Sequence, residues 1–598
     1  MQTTIELYFD IAQKRGQRVA FRHRVGGVWR ETSWAENART VRQVGRALIA
    51  LGVPPRGSVA IVGPNRPEWI LTAMGAQAAG GAPVGIYVTS PADQVAYIVA
   101  HCEASVAVVF DQAQLAKLRT QQAALPALKT IVLMTGKGDG PDVLGWAEFL
   151  ARGDATPESE VDRRMAALGA EDVATLIYTS GTTGTPKAVM LTHRNLVESM
   201  ERLADYLRLD RDGEVQLSYL PLSHIAEQLL SIWGSCKLGN TIGFCEDLEQ
   251  LGELLREVRP TVFFGVPRVW EKIQAKMVEA AAQNSWLKKK IAAWARGVGR
   301  RAGQARAERR SLPGGYGLAR KLVFSKVRER LGLDRCRMAI SGAAAISKAT
   351  MDFFTSLDIP LCEVYGMSES TGVMTFNVPQ TFKTGTVGCC VPGFELKLAP
   401  DGEILARGVH VFRGYFKSPE ATAETVDSDG WLHSGDVGEL DAAGFLRITD
   451  RKKELFKTAG GKYIAPQYLE GLLKAIPGVG HVAVVGGDDR KYVAALLVLD
   501  PVAAPRVAAG LGVTATPEQL AEHPVFNEHL GRELEKINAG LARFETIKKV
   551  KVLAREFSVD GGELTPTLKL KRKVIAEKYA AEIAALFEDS PRSARTEA

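Results

Sequence analysis

Hydrophobic and polar positions in the first half of the chain follow two alternating periods. Val59-Ala-Ile-Val62 is a short apolar run, followed by a helical pattern from Pro67-Glu-Trp-Ile70 to Ala79 that stops at Gly80-Gly81. Val106-Ala-Val-Val-Phe110 and Ile131-Val-Leu-Met134 repeat the apolar run, with helical stretches before and between them. Short runs without a polar face suit strands covered on both sides, and the strand–helix–strand rhythm places them in a parallel sheet. The expected fold class is α/β, with a large N-terminal doubly wound domain. From Gly385 to Thr449 the pattern changes to short strand-like pieces, such as Glu403-Ile-Leu-Ala406 and Gly444-Phe-Leu-Arg-Ile448, divided by Gly, Asp and Pro. This predicts a small β subdomain over about 385–449. Beyond the charged Arg451-Lys-Lys-Glu454, a second and smaller α/β unit runs to a charged tail. The boundary falls at Asp450, giving an N-terminal domain over 1–449 and a C-terminal domain over 451–598.

Composition agrees with this division. A chain of 598 residues is too long for one hydrophobic core, and 46% hydrophobic with 24% charged residues is an ordinary globular balance. No apolar run reaches the roughly 18 residues needed to span a bilayer. The stretch MQTTIELYFDIAQKRG lacks the apolar segment of a secretory signal. The seven cysteines are scattered and form no CxxC pair, and neither they nor the nine histidines show zinc-ligand spacing. A reducing cytoplasm is the expected location. The net charge of +7 is unevenly spread: Lys288–Arg330 holds fourteen Lys and Arg against Glu308 and Glu329.

The sharpest chemical signal is Thr179-Ser-Gly-Thr-Thr-Gly-Thr-Pro-Lys187, directly after the strand-like Ala174-Thr-Leu-Ile-Tyr178. Gly181 and Gly184 free the backbone to aim N–H groups at an anion. Thr179, Ser180, Thr182, Thr183 and Thr185 add hydroxyls, and Lys187 adds a full charge, a set suited to a triphosphate. It is not the GxxxxGK[ST] loop, because Pro186 precedes the lysine and Ala188 follows it. Gly478-Val-Gly-His-Val-Ala483 matches a dinucleotide fingerprint in spacing but precedes its strand-like run, the wrong order for that site.

At this loop the chain resembles the acyl-adenylate-forming enzymes, the family of acyl-CoA synthetases, luciferases and peptide-synthetase adenylation domains. The resemblance covers residues 10 to 580 approximately, with further motifs in the family's order. Tyr365-Gly-Met-Ser-Glu-Ser370 resembles the segment in which, by implication, Tyr365 stacks on adenine, Gly366 turns the chain, Ser368 contacts phosphate and Glu369 binds Mg²⁺, with Thr179 a second metal candidate. Ser341-Gly-Ala-Ala-Ala345 resembles the small-residue stretch whose Gly342 and Ala343 lie against adenine. Trp431-Leu-His-Ser-Gly-Asp436 resembles the segment whose aspartate accepts both ribose hydroxyls. Asp450-Arg-Lys-Lys-Glu-Leu-Phe-Lys457 resembles the hinge, with Arg451, Lys453 and Lys457 on the nucleotide side; Lys452 reads as part of a solvated helical face. In Leu564-Thr-Pro-Thr-Leu-Lys-Leu-Lys-Arg572, Leu568 stands where the family has glycine. Lys569 and Lys571 are both candidates for the catalytic lysine, and alignment on the following basic residues favours Lys569.

The resemblance implies a reaction in two halves. A carboxylate attacks the α-phosphorus of MgATP and releases pyrophosphate; the thiolate of coenzyme A then attacks the acyl-adenylate and expels AMP. It further implies a mobile C-terminal domain that removes Lys569 between the steps and brings in Thr458-Ala-Gly-Gly-Lys-Tyr463, with Gly460 and Gly461 passing the pantetheine arm. Leu220-Pro-Leu-Ser-His-Ile-Ala-Glu227 and Pro267-Arg-Val-Trp-Glu-Lys-Ile273 resemble long-chain acyl-CoA synthetases, which would place His224 beside the reacting carboxylate. Two other readings stand beside a fatty acid–CoA ligase: a ligase that passes the acyl group to a carrier protein, and an acyl-binding protein without activity. Fatty acid, ATP and CoA are the expected partners, without nucleic acid. In the basic stretch 286–330, Leu287, Ile291, Trp294, Ala295 and Val298 recur at helical spacing while Lys288, Lys289, Lys290 and Arg296 take other positions, which fits either a helix lying on an anionic membrane surface or an amphipathic helix that buries the stripe against its own domain with its charges solvated.

Overall fold

The structure is a computed structural model. It describes every residue except 1, 180–184, 210–212, 309, 380, 453, 460–461, 488–489, 559–560, 566–569 and 589–598, and only the backbone of Tyr463. The apolar runs form the middle of an eight-stranded sheet in the order Gly414–Tyr415, Lys187–Thr192, Val173–Thr179, Ala82–Ile86, Ser58–Val62, Val106–Val109, Thr130–Leu133, Val143–Gly145. The six strands from Val173–Thr179 onward are parallel; Lys187–Thr192 and Gly414–Tyr415 add an antiparallel edge. The two central strands are buried along their whole length, and from Trp69 onward helix Pro67–Ala78 is buried as well, which explains why neither carries a polar face.

A second sheet holds Val262–Gly265, Met338–Ser341 and Leu361–Tyr365 in parallel, then Thr375–Phe376 and Cys389–Cys390 antiparallel. A third joins Val215–Ser218, Thr241–Phe244, Val19–Val25 and Val28–Ser33. Glu395–Leu398, Glu403–Arg407, Leu432–Leu440 and Leu446–Arg451 make a four-stranded antiparallel sheet. The region 385–449 is not self-contained: Cys389–Cys390 pairs into the second sheet and Gly414–Tyr415 into the first. The C-terminal domain is built on Val479–Val485, Val493–Leu499 and Ile547–Leu553, backed by helix Pro466–Leu473 and helix Pro524–Asn538. Val479–Val485 is a strand that includes Gly480, with a register shift between Val479 and His481, consistent with rejecting a dinucleotide loop there.

The basic stretch folds as helix Trp286–Ala307 and a bent helical return over 316–331. Gly299 and Gly303 allow the long helix to lie close to helix Lys348–Thr355 and the residue after it: a Cβ at Gly299 would meet Ser356 O at 2.2 Å, and one at Gly303 the Thr355 methyl at 2.3 Å. The expected apolar stripe divides. Ala295 and Val298 are buried against Ala319 and Phe324, so they are core, while Leu287 and Trp294 stay exposed. Arg296 is not an outward charge: its Nε donates to Ser356 Oγ at 3.0 Å and its guanidinium lies 4.9 Å from the Phe353 ring centroid.

Candidate active site

Thr179 and Lys187 are opposite partners at one end of the antiparallel pair Val173–Thr179 and Lys187–Thr192, which brings the two ends of the hydroxyl-rich segment side by side. Ser180, Gly181, Thr182, Thr183 and Gly184 lie outside the described residues. The far end of the segment is held by the Tyr97 hydroxyl, which donates to Pro186 O at 3.3 Å. Lys187 Nζ lies 4.9 Å from the centroid of the Tyr415 ring, and the Tyr415 hydroxyl donates to Glu369 Oε1 at 2.7 Å. Burial and the adjacent Glu369 carboxylate push the Tyr415 phenol far above its usual range. One aromatic side chain thus joins the loop lysine to the proposed metal ligand.

Glu369 sits in a tight turn, Ser368–Ser370, that follows strand Leu361–Tyr365. The turn closes on itself because Gly366 has no side chain: a Cβ there would meet Gly372 O at 2.5 Å. Ser368 and Glu369 are both buried, and Phe412 N donates to Glu369 O at 2.9 Å. Among the described residues, no group of three His, Cys, Asp or Glu side chains gathers as a metal cage. A single carboxylate beside phosphate-binding groups fits Mg²⁺, which keeps waters and takes substrate oxygens.

Tyr365 is buried with Met374, Ile404 and Leu446, and its hydroxyl donates to Asp436 Oδ2 at 2.7 Å. Burial, followed by the Asp436 charge, holds that phenol well above its ordinary value. Arg451 Nε donates to the other oxygen, Asp436 Oδ1, at 3.1 Å, and Asp436 and Arg451 are register partners on adjacent strands. Each carboxylate oxygen keeps a further lone pair, so Asp436 can still accept two ribose hydroxyls. Gly342 lies under this wall: a Cβ would meet Val364 Cγ1 at 2.6 Å, and Ala343 takes a left-handed conformation at φ 68°.

His224 caps helix Ile225–Gln228, its Nδ1 accepting from Ala226 N at 3.2 Å, which places the ring proton on Nε2. The loop before it seats on Gly85, where a Cβ would meet Ser223 Cα at 2.7 Å, and the helix after it packs through Ile225 and Leu229 against Gly372. His224 is therefore held between the first sheet and the Tyr365–Gly372 segment.

Asp450 is buried, with Oδ1 accepting from Arg451 N at 2.6 Å and Oδ2 from Gln467 N at 3.2 Å; burial pushes its carboxyl up to about 7. The charged run after it is not helical, but Lys452 is exposed as expected, with its ammonium ion-paired to Asp401 at 2.6 Å and to Glu403 at 2.9 Å. Lys457 lies on the hairpin Phe456–Lys457 with Tyr463–Ile464. Lys453, Gly460, Gly461 and Lys569 lie outside the described residues. Lys571, the other candidate, immediately precedes helix Arg572–Lys578. Arg572 donates to both Glu470 oxygens at 2.7 and 2.6 Å and to Glu454 at 2.8 Å, which ties this segment to the stretch after Asp450.

Three side chains with a place at the site were missed in the sequence. Tyr415 stands on a two-residue strand, too short for any periodic signal. Glu363, opposite Ser341 on the strand leading to Tyr365, is buried and its carboxyl is pushed up to about 8 by burial. Glu227 accepts from Leu220 N at 3.1 Å and Ser231 Oγ at 2.5 Å, pinning the loop that carries His224; burial pushes it up to about 7. A charged residue inside an apolar stretch was the available signal for both glutamates.

Residues 8–416 match the model of the AMP-binding enzyme family, and residues 454–591 match that of the AMP-binding enzyme C-terminal domain. The chain belongs to the AMP-binding enzyme family. This AMP-binding enzyme is similar to a long-chain-fatty-acid–CoA ligase, ACSBG2, of Xenopus laevis, at 38% identity over 98% of this chain and 84% of the relative. It is similar to the Homo sapiens protein of that name at 35% identity, over 97% and 92%. The fold is shared with solved structures. One is an anthranilate CoA ligase in complex with anthranoyl-AMP (TM-score 0.73, 20% identity, 98% of both chains). Another is the A domain of a carboxylic acid reductase from Segniliparus rugosus in complex with AMP and a co-purified carboxylic acid (TM-score 0.75, 21% identity, 98% and 94%). Asp436, Asp450 and Arg451 of the AMP-binding enzyme fall in the stretch between its two matched segments.

Proposed function

We propose that this enzyme is a long-chain fatty acid–CoA ligase, which activates its acid as acyl-AMP with release of pyrophosphate and then forms acyl-CoA with release of AMP. The observation that carries the chemistry is the joined set Lys187–Tyr415–Glu369 beside Tyr365–Asp436–Arg451. The relatives named as long-chain fatty acid–CoA ligases, matched over nearly the whole chain, support the substrate class.

A carboxylate cannot expel oxide, so it must first gain a leaving group, and AMP supplies one. In adenylation, charge builds on the α-phosphate oxygens while the carboxylate approaches in line, and the requirement is positioning and fixed positive charge. Asp436 and Arg451 hold the ribose, Tyr365 with Gly342 and Ala343 the purine, and the loop hydroxyls, Ser368 and Lys187 the phosphates. Glu369, with Thr179 as a second candidate, would hold Mg²⁺, which when bound would neutralise charge at the phosphates. His224 orients the acid, and Lys569 is the lysine brought by the C-terminal domain. In the second half, that domain turns about Asp450 and presents Gly460 and Gly461 to the pantetheine arm, with Lys453 and Lys457 on the nucleotide side. The deciding experiment is ATP–pyrophosphate exchange across acids of increasing chain length, followed by thioester formation with free CoA. Exchange with long-chain acids and transfer to free CoA are expected; transfer only to a carrier protein would give the acceptor to that protein, and no exchange with any acid would leave an acyl-binding protein.

Among the described residues, no helix is long and apolar enough to cross a membrane. We place the enzyme in the cytoplasm, working peripherally at an anionic membrane face through 286–330.

A further inference from the structure

We propose that the first three turns of helix Trp286–Ala307, together with the return over 312–322, form an apolar wedge with a basic rim that inserts into an anionic bilayer surface. This deepens the peripheral reading above by assigning the contact to particular residues. The apolar stripe of the long helix is covered by Ala319 and Phe324 at Ala295 and Val298. Toward its N-terminus the cover ends while the stripe continues: Leu287 is 59% exposed and Trp294 40%, with Trp286 beside the stripe at 68%. The return adds Leu318 and Leu322, one turn apart and both exposed. The two edges adjoin, since a Cβ at Gly315 would sit 3.4 Å from Trp294 Cζ2. Two exposed indoles and several leucines on neighbouring turns are costly in water and suited to the headgroup–acyl boundary.

Charge selects the occupant. Lys288, Lys289 and Lys290 are exposed at the same end, with Lys290 Nζ 4.2 Å from the Trp286 ring centroid. Arg296, Arg306 and Arg328 turn inward, to Ser356, to Asp358 with Tyr316, and to the carbonyls of Leu333 and Cys336. One of the two acids of the stretch, Glu308, is paired with Arg310. What faces outward is thus apolar and cationic. A second copy meeting this face about a twofold axis would bring like charges together. A nucleic acid would leave the indoles and leucines uncovered. An anionic bilayer satisfies both features at once.

The test is flotation of the full-length protein with vesicles of phosphatidylcholine, alone or with about 30% phosphatidylglycerol, at low and high salt. Wild type is expected to float with the anionic vesicles and to lose much of that binding in salt. Converting Lys288, Lys289 and Lys290 to Glu should lower binding by roughly a hundredfold or more. Trp286→Ser with Trp294→Ser should lower it at every salt concentration and remove quenching of tryptophan emission by brominated lipid. Both variants should keep adenylation of a short soluble acid. Wild type that floats with neither vesicle would overturn the peripheral reading together with this one. Binding unaffected by both variants would overturn only the location. Concentration-dependent self-association, lost in the tryptophan variant without any vesicle binding, would give the face to a second copy and overturn the proposal.

Discussion

The Tyr415 hydroxyl donates to Glu369 across 2.7 Å, from a strand of two residues that has left its neighbours to join the edge of the eight-stranded sheet. Its ring meanwhile faces the Lys187 ammonium. Tyr415→Phe keeps the ring and removes only the hydrogen bond to the carboxylate. Such a bond to a charged group is worth about 1.5–3 kcal/mol, so adenylation should slow by roughly 10- to 100-fold with ATP binding little changed. Pyrophosphate release measured against ATP concentration checks this; an unchanged rate would leave Tyr415 as packing.

Glu369→Gln preserves shape and removes the charge. The adenylation rate should fall by about 10²–10³-fold and recover in part as Mg²⁺ is raised. Pyrophosphate release titrated with Mg²⁺ is the measurement, and a variant indistinguishable from wild type at low Mg²⁺ removes Glu369 from the metal site.

Lys569→Ala and Gly461→Leu should divide the reaction between them. The lysine variant should nearly abolish adenylation and spare thioester formation from supplied acyl-AMP. The glycine variant, with a bulky side chain in the pantetheine path, should do the reverse. Both half-reactions are measured separately in each variant. Equal losses in both halves for either one would contradict a domain that exchanges two segments at a single site.

Glu363 gives a pH-dependent stability. Its carboxyl is pushed up to about 8 in the fold and titrates near 4.3 in an unfolded chain. Between those values the folded state keeps a proton that the unfolded state releases, so this group's contribution is complete below about pH 4 and is lost as pH rises toward 8. The loss is roughly 1.4 kcal/mol per pH unit at most. Glu363→Gln has no proton to lose. Its Tm advantage over wild type should grow from pH 5 to pH 8 and then level off; a gap constant with pH would show that the carboxyl is ionised in the fold.

Much of the candidate site could be named from the sequence because the chemistry proposed for it is local in the chain. Phosphate binding needs glycines and hydroxyls on consecutive residues, and Thr179–Lys187 announces that without a fold. Tyr365, at the end of a strand, and Ser368 and Glu369, in the turn that follows it, lie within five residues of one another. Asp436 and Arg451 were named separately, and their meeting depends on the register of two antiparallel strands. Lys452 is exposed as its sequence suggested, but its ion pairs were not legible, because Asp401 and Glu403 are about fifty residues upstream.

Hydrophobic periodicity by itself determined the α/β class and the parallel middle of the first sheet, because burial on both faces constrains neighbouring residues directly. Only the tertiary structure decided which apolar residues of the basic helix are core and which face outward, since Ala295 and Trp294 differ not in the helix they share but in whether Ala319 and Phe324 reach them. It alone also decided that Tyr415 joins Lys187 to Glu369. Those three residues are brought together by sheet pairing and chain reversal over more than two hundred positions, and no local pattern encodes a contact whose free energy exists only once the sheet has formed.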